Sequence, residues 1–299
     1  MCGLFGGIGK LNSNRLTALG CMNEDRGKDS TGIAYIKDNE VVIAKIAERA
    51  AIGLNVSLRT DLTAAAVSGL MIGHTRQATQ GAVTSENAHP FMADGIAFAH
   101  NGIILNDEKF GKYEVDSQSL IHGIKKHDFS EYEGCIALLW IEEGKLKAFR
   151  SGNPLFRGKH LGAMYFSSEK APLASIGCTH IKELKEGYIY TIHSPESITT
   201  EKVKENKPAV VAGWNTQAWG DNFSYWDYIT DARHTEQKNK KEVKQENFNT
   251  WKDEKEMLDA YCPMCKQYAM DKGYCYSCDI DIEELTGLRN LSDIPGHQR

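Results

Sequence analysis

The sequence predicts an α+β protein whose sheets are stacked in layers, followed by a small C-terminal module. Three observations carry that reading. Between Cys2 and about Ile192, short apolar stretches rich in β-branched and aromatic residues are punctuated by Gly, Asn and Asp. Helical spacing is confined to a few segments, so many strands and few helices argue against regularly alternating βαβ units. Beyond residue 212 the composition changes, and the chain carries two Cys-x-x-Cys pairs near its end.

The strands are expected where β-formers cluster: at Ile33 to Ile36, Glu40 to Ile46, Ile96 to Ala99, Ile136 to Ile141, Lys147 to Arg150, Ala163 to Phe166 and Gly187 to Ile192. The segment from Cys2 to Gly7 reads as a further apolar strand running into glycines. Apolar residues recur three to four apart in Asn14 to Asn23, Asp61 to Val67 and Ser117 to Lys126, which predicts helices there. Four of the five Trp (Trp214, Trp219, Trp226 and Trp251) lie beyond residue 212, and Arg233 to Glu256 is a mixed-charge stretch with few apolar side chains. The expected organisation is therefore a main domain over 2–212, an aromatic segment and charged linker over 213–256, and a cysteine-bearing module with its tail over 257–299.

Composition excludes several classes. With 41% hydrophobic residues the chain can bury a core, and wholesale disorder is not expected. The 35 basic and 40 acidic residues give a formal charge of -5, so a general nucleic-acid binder is not expected. Residues 213–299 hold 11 basic and 16 acidic residues and so carry the whole imbalance. There is no run of 18 apolar residues, and Met1-Cys2-Gly3 followed by Lys10 and Arg15 does not look like an export signal. A cytoplasmic, reducing location without a membrane partner is the expectation, and Cys21, Cys135 and Cys178 then read as small buried hydrophobes.

Cys2 is the first chemical clue. Removal of Met1 would place a thiol and an α-amino group on one residue, and the amine, with a reference pKa of about 7.7–8.0, can act through water as base for its own thiol. Four further runs accompany it: Arg26-Gly27-Lys28-Asp29-Ser30-Thr31-Gly32, Ile72-Gly73-His74-Thr75-Arg76-Gln77-Ala78-Thr79, Asn87-Ala88-His89-Pro90 and His100-Asn101-Gly102. Arg26 and Asp29 are close enough in sequence to be read as a mutual pair supporting the N-terminal strand.

In order and spacing these runs resemble the class II glutamine amidotransferases, whose glutaminase domain is an N-terminal-nucleophile hydrolase. Asp116-Ser117, Arg150-Ser151-Gly152-Asn153-Pro154-Leu155 and Phe166-Ser167-Ser168-Glu169 fall where that family has its later landmarks. The resemblance spans roughly residues 2–192 and implies a four-layer αββα sandwich. It also implies roles. Cys2 would be the nucleophile, with Asn101 and the backbone of Gly102 forming the oxyanion hole. Arg76 would hold the α-carboxylate of L-glutamine through two parallel hydrogen bonds, Asp116 its ammonium group, and Thr79 and His89 would line the pocket. His74 and His100 are expected to be structural. Two alternatives stay open: a non-catalytic glutamine-binding or interaction protein on this fold, and an N-terminal-nucleophile amidase for another amide.

Within class II, His-Thr-Arg-x-Ala-Thr and Ser-Gly-x-Pro-Leu look most like the glutaminase half of glucosamine-6-phosphate synthase. Gln77 stands where that group usually has Trp, and Gln80 where it usually has His. Nothing after Ile192 resembles its sugar-isomerase domains. The expectation is therefore that ammonia passes to a separate acceptor-binding protein, which the aromatic segment and the C-terminal module would contact.

Cys262-x-x-Cys265 and Cys275-x-x-Cys278 give two knuckles separated by nine residues. That spacing suits a closed tetrahedral S4 site for structural Zn²⁺, although soft thiolates also accept iron. The glutaminase chemistry itself calls for no cofactor.

Overall fold

The computed structural model describes residues 2–206 and, as backbone alone, 270–271, 274–275 and 280–281. Thirteen strands lie in the first stretch: β1 Gly3–Gly9, β2 Ser30–Lys37, β3 Glu40–Ile46, β4 Leu70–Arg76, β5 Phe91–Ala93, β6 Ile96–Ile104, β7 Gly134–Glu142, β8 Lys145–Ser151, β9 Phe156–His160, β10 Ala163–Ser167, β11 Thr179–Glu183, β12 Tyr188–Ser194 and β13 Ser197–Lys202. The helices are α1 Ser13–Asn23, α2 Ala50–Ile52, α3 Arg59–Ser68, α4 Ile121–Lys126 and α5 Lys170–Ser175. Two antiparallel sheets result, with strand orders β11-β9-β10-β1-β4-β2-β3 and β13-β12-β8-β7-β6-β5.

The apolar strands are apolar because both of their faces are covered. Leu4, Ile72 and Phe166 of the first sheet meet Ala99, Leu139 and Ala148 of the second in a core between the sheets. The opposite face of the first sheet, through Phe5, Tyr35 and Met71, packs on Leu16 and Leu19 of α1 and Leu62 of α3. Phe98, Leu138 and Trp140 on the far face of the second sheet pack on Leu120, Ile124, Phe129 and Tyr132. Helical segments thus lie outside each sheet, in the order helix, sheet, sheet, helix.

Local chemistry sets the helix ends. Asn12 caps α1, its Oδ1 accepting from the Arg15 amide at 2.9 Å. Gly69 closes α3 in the left-handed region at φ 75°, donating its N–H to Ala65. The predicted helix over Ser117 to Lys126 is two pieces, a 3₁₀ turn at Asp116–Leu120 leading into α4. The Ile96 to Ala99 strand runs further than predicted, so that the His100-Asn101-Gly102 run lies inside β6.

Near the C-terminus, Tyr274–Cys275 pairs antiparallel with Ile280–Asp281, and Met270–Asp271 is also extended. The tryptophan segment, the charged linker, and Cys262, Cys265 and Cys278 lie outside the described residues. Among the described residues no helix is long and apolar enough to cross a membrane, and no group of side chains is arranged to hold a metal ion.

Candidate active site

Cys2 sits at the head of β1, and β1 is held on both sides. It pairs with β4 from Gly3 opposite Thr75 and with β10 from Phe5 opposite Ser167. Close packing explains Gly3 itself, since a Cβ there would lie 2.7 Å from both the Asn23 carbonyl and Thr75 Oγ1. Arg26 Nε donates to the Cys2 carbonyl at 2.8 Å while its Nη1 pairs with Glu169 at 2.8 Å, so the backbone of Cys2 is fixed by a side chain that is itself held.

The sulfur faces the chain leaving β4. The Gln77 N–H donates to Cys2 Sγ at 3.3 Å, and the thiol reaches the Gln77 carbonyl at 3.5 Å. Burial pushes the thiol above its ordinary pKa; the Gln77 N–H and the Arg76 guanidinium oppose that shift and Asp116 adds to it. Cys2 therefore lies within electrostatic reach of one buried cation and one buried anion, the two residues predicted to grip the ends of an amino acid.

Arg76 ends β4 almost completely buried, and its guanidinium is anchored by the loop that follows. Nη1 donates to the Ala82 carbonyl at 3.0 Å and Nη2 to the Gln80 carbonyl at 2.5 Å. A guanidinium has five N–H donors, so these two bonds orient it and leave donors for a carboxylate. Asn87 ties the same loop to the Asp116 segment, donating to Ala82 at 3.1 Å and Glu114 at 2.6 Å. Asp116 is also buried. Its Oδ2 accepts from the Ile104 amide at 2.7 Å and its Oδ1 from the Ser117 amide at 2.8 Å.

Asn101 and Gly102 lie in mid-β6, opposite Ala137 and Ile136 of β7. Ser168 Oγ joins this strand to the nucleophile strand, accepting from the Leu4 amide at 2.8 Å and from Asn101 Nδ2 at 3.2 Å. Asn153 donates to the Asn101 carbonyl at 2.9 Å, fixing the residue from the other side. An Asn side chain has two N–H donors, so one remains after the bond to Ser168. Gly102 has no room for a side chain: a Cβ would sit 1.9 Å from the Cys135 carbonyl and 2.4 Å from His100 Nε2.

Three buried histidines complete the cluster. His100 bonds to Ser117 Oγ at 2.8 Å through Nδ1 and to the Cys135 carbonyl at 3.2 Å through Nε2, linking β6, β7 and the Asp116 turn. His74 Nε2 bonds to the His100 carbonyl at 2.9 Å, and burial drives its pKa down to about 3. The ring is neutral at physiological pH, and because a carbonyl oxygen only accepts, Nε2 is the nitrogen that carries the proton. Both histidines thus link neighbouring strands through their hydrogen bonds. His89, on a cis bond to Pro90, has its ring centroid 4.1 Å from that of His74, the two planes tilted by 33°. Burial lowers its pKa strongly, and neither ring nitrogen has a hydrogen-bond partner among the described residues. Buried ring nitrogens of this kind are ordinarily hydrogen-bonded, to protein or to water.

The structure thus gathers Cys2, Arg76, Asn101, Gly102 and Asp116, with His89 beside them. Thr79 instead lies exposed on the loop after β4. The expected Arg26–Asp29 pairing is replaced: Arg26 turns to Glu169, and Asp29 accepts from Gln77 Nε2 at 2.8 Å and the Ala78 amide at 2.7 Å, because it faces the loop leaving β4. Ser168, Asn153 and the Gln77 amide had no role assigned from sequence; the first two lie in recognisable runs, but their partners are distant in the chain.

A family model for class-II glutamine amidotransferases matches residues 1–159. Among curated relatives, glutamine–fructose-6-phosphate aminotransferase [isomerizing] of Rhizobium leguminosarum bv. viciae is 35% identical over 203 residues, covering 58% of this chain and 32% of that protein. The enzyme of the same name from Pseudomonas aeruginosa is 32% identical over 221 residues, 64% of this chain and 35% of that one. The chain thus spans about a third of the length of the curated relatives it matches. The fold is similar to that of glutamine phosphoribosylpyrophosphate amidotransferase from B. subtilis, with a TM-score of 0.55 and 23% identity over 67% of this chain and 49% of that one.

Proposed function

Because the chain belongs to the class-II glutamine amidotransferases, we propose that it hydrolyses L-glutamine to glutamate and ammonia through a γ-glutamyl thioester on Cys2. The observation that carries this reading is the placement of the Cys2 thiol against the Gln77 amide, the residue directly after Arg76, on a strand that Ser168 ties to Asn101. A cation and an anion at separate points suit the zwitterionic end of a free amino acid, and a general amidase has no need of both.

In this mechanism the raised pKa of Cys2 keeps the sulfur protonated in the empty site, so attack requires a base. The α-amine of Cys2, freed by removal of Met1, takes the thiol proton through water as sulfur bonds to the side-chain carbonyl carbon of glutamine. The developing oxyanion is received by the second N–H of Asn101 Nδ2 and by the Gly102 backbone, each donor contributing about 2.7–4 kcal/mol to the transition state. Collapse of the tetrahedral adduct breaks the C–N bond, the shuttled proton leaves with ammonia, and water then hydrolyses the thioester. Arg76 binds the α-carboxylate with its remaining donors, and the orphaned nitrogens of His89 can serve the same pocket. Thr79 would reach the substrate only by movement of its loop.

The ammonia acceptor is read as a separate protein, which the aromatic segment and the C-terminal module would contact. The location is read as cytoplasmic. The module over 257–299 is read as a structural zinc site on Cys262, Cys265, Cys275 and Cys278, supported by the thiolate donor set and its spacing.

The test is glutamate release by purified protein. Cys2→Ala is expected to abolish it while leaving the circular dichroism spectrum unchanged, and mass spectrometry of active protein should show a chain beginning at Cys2. Full turnover by Cys2→Ala would overturn the mechanism. Binding of glutamine without turnover by the native chain would favour the non-catalytic alternative.

A further inference from the structure

The outer edge of the seven-stranded sheet carries a second concentration of charge, unrelated to the glutamine cluster. A cavity of about 270 Å³ opens there, lined by Arg157 and Lys159 of β9 and His180 and Lys182 of β11. All four are basic residue types, and among the described residues no carboxylate lines the cavity.

The strand register places three of these groups together. Arg157 stands directly opposite Lys182 across the β9–β11 pair, so both project from the same face. Arg157 also stands opposite Phe166, and Lys159 opposite Met164, and both partners belong to the core between the sheets. Arg157, Lys159 and Lys182 therefore point toward the space between the two sheets, at the margin where the apolar core ends.

Among the described residues the charge there is only partly balanced. Lys159 is paired with Glu196 from the β12–β13 turn, and the neighbouring Glu183 is engaged by Arg150. Among the described residues, Arg157 and Lys182 have no ion pair, although Arg157 is half-buried. Like charges directly opposite on adjacent strands destabilise a sheet, and a long basic side chain loses rotamer freedom when it is held against a cavity wall. Both costs are offset when an oxyanion lies between the two side chains. Arginine offers it a planar pair of donors and lysine a point charge.

We propose that this cavity is an anion-binding site for a phosphate group, held by Arg157 and Lys182 with Lys159 at its rim. It is a site apart from the glutamine cluster: β9 and β11 lie two and three strands from β1, or roughly 10–14 Å at the usual strand spacing. The volume accommodates a phosphate with a small organic substituent, so inorganic phosphate and a small phosphate monoester share the required chemistry.

The experiment is calorimetric titration of the full chain, in phosphate-free buffer at low salt, with inorganic phosphate and separately with glycerol 3-phosphate. At least one is expected to bind with a Kd of about 1 mM or tighter. Tighter binding of inorganic phosphate identifies the free ion as the ligand, and tighter binding of the ester identifies a phosphorylated metabolite. Arg157→Gln and Lys182→Gln should each weaken binding at least about tenfold, while Lys112→Gln, a control elsewhere on the surface, should not. No binding of either anion at about 20 mM, or affinity in the Arg157 and Lys182 variants equal to that of the parent, overturns the site. Lys182→Glu gives a readout that does not depend on the ligand. By giving Arg157 an opposite charge it should raise the Tm by about 1–4 °C in phosphate-free buffer while abolishing anion binding. A lowered Tm in that variant would show that the two cations do not strain the native edge.

Discussion

Gly102→Ala tests the oxyanion assignment with the geometry already fixed. The added Cβ would sit 1.9 Å from the Cys135 carbonyl on β7, where ordinary contact begins near 3.4 Å. Relief requires β6 and β7 to part locally by more than about 1 Å, since the opposing atom is backbone and cannot swing away. Crowding of this kind costs about 1–3 kcal/mol, which for a domain of this size lowers Tm by about 2–12 °C and leaves it folded at 25 °C. The effect on chemistry should be larger. Asn101 and Gly102 are adjacent on the displaced strand, and losing one well-placed oxyanion donor reduces kcat by about 10²–10³. A shift near 1 Å for both donors should therefore cost at least about 10³ in kcat. The proposed α-carboxylate contact is Arg76 at the end of β4, on the other sheet, so KM should rise only a few-fold. Glutamate release under steady state, with circular dichroism melting in parallel, separates the two effects. A folded Gly102→Ala protein with kcat within about tenfold of the parent would refute the placement of the oxyanion at this strand.

The same cluster yields three further expectations. Alkylation of Cys2 by iodoacetamide, followed against pH, should shift to higher pH in Arg76→Gln, because a cation favouring the thiolate is lost, and to lower pH in Asp116→Asn, because an anion opposing it is lost; shifts of the same sign in both variants would disprove the shared electrostatic site. Ser168→Ala removes the acceptor shared by the Leu4 amide and Asn101; it should lower kcat far more than it raises KM and destabilise the domain by about 1–3 kcal/mol for a buried donor left unpaired, and unchanged kcat would show that Asn101 needs no bridge to β1. Elemental analysis should find about one zinc per chain, and Cys262→Ser or Cys278→Ser should release it while sparing basal glutamine hydrolysis; stoichiometric iron, or complete loss of hydrolysis with the metal, would contradict a separate structural module.

What could be read from the sequence follows from how local each signal is. The central strands β1, β6, β7, β8 and β10 are legible as apolar β-rich runs because both of their faces are covered, as Leu4 and Phe5 or Leu138 and Leu139 show by packing in opposite directions. Five strands escape notice: β4, where a glycine and three polar residues break up the buried run LMIGHTR, β5, which is only three residues long, and β9, β11 and β13, with sequences FRGKH, THIKE and SITTEK; the last three share a cause. Two of them are sheet edges and one lies beside an edge, where exposed charge protects against unwanted pairing and erases the apolar pattern. The short α5, with Pro172 in its first turn, leaves no helical period to find.

The candidate site divides along the same line. Cys2, Arg76, Asn101, Gly102 and Asp116 each stand in a short run whose residue types suit their chemistry, so one sequence suffices to nominate them. The groups that aim them are not local. Ser168 is 164 residues from Leu4 and 67 from Asn101, and Arg26 meets Glu169 across 143 residues. Those contacts exist only because β10 pairs with β1 and the two sheets stack, bringing the end of β10 over mid-β6. The Arg26–Asp29 pairing fails for the same reason. Proximity along the chain favoured it, but Arg26 is drawn to the segment after β10 and Asp29 to the loop after β4. A candidate nucleophile and two candidate charged anchors can therefore be named before the fold is known, whereas the hydrogen bonds that join them arise from strand pairing and sheet stacking. It follows that Ser168→Ala is the more demanding test of the fold's contribution to catalysis, since it leaves every nominated residue in place and removes only what joins them.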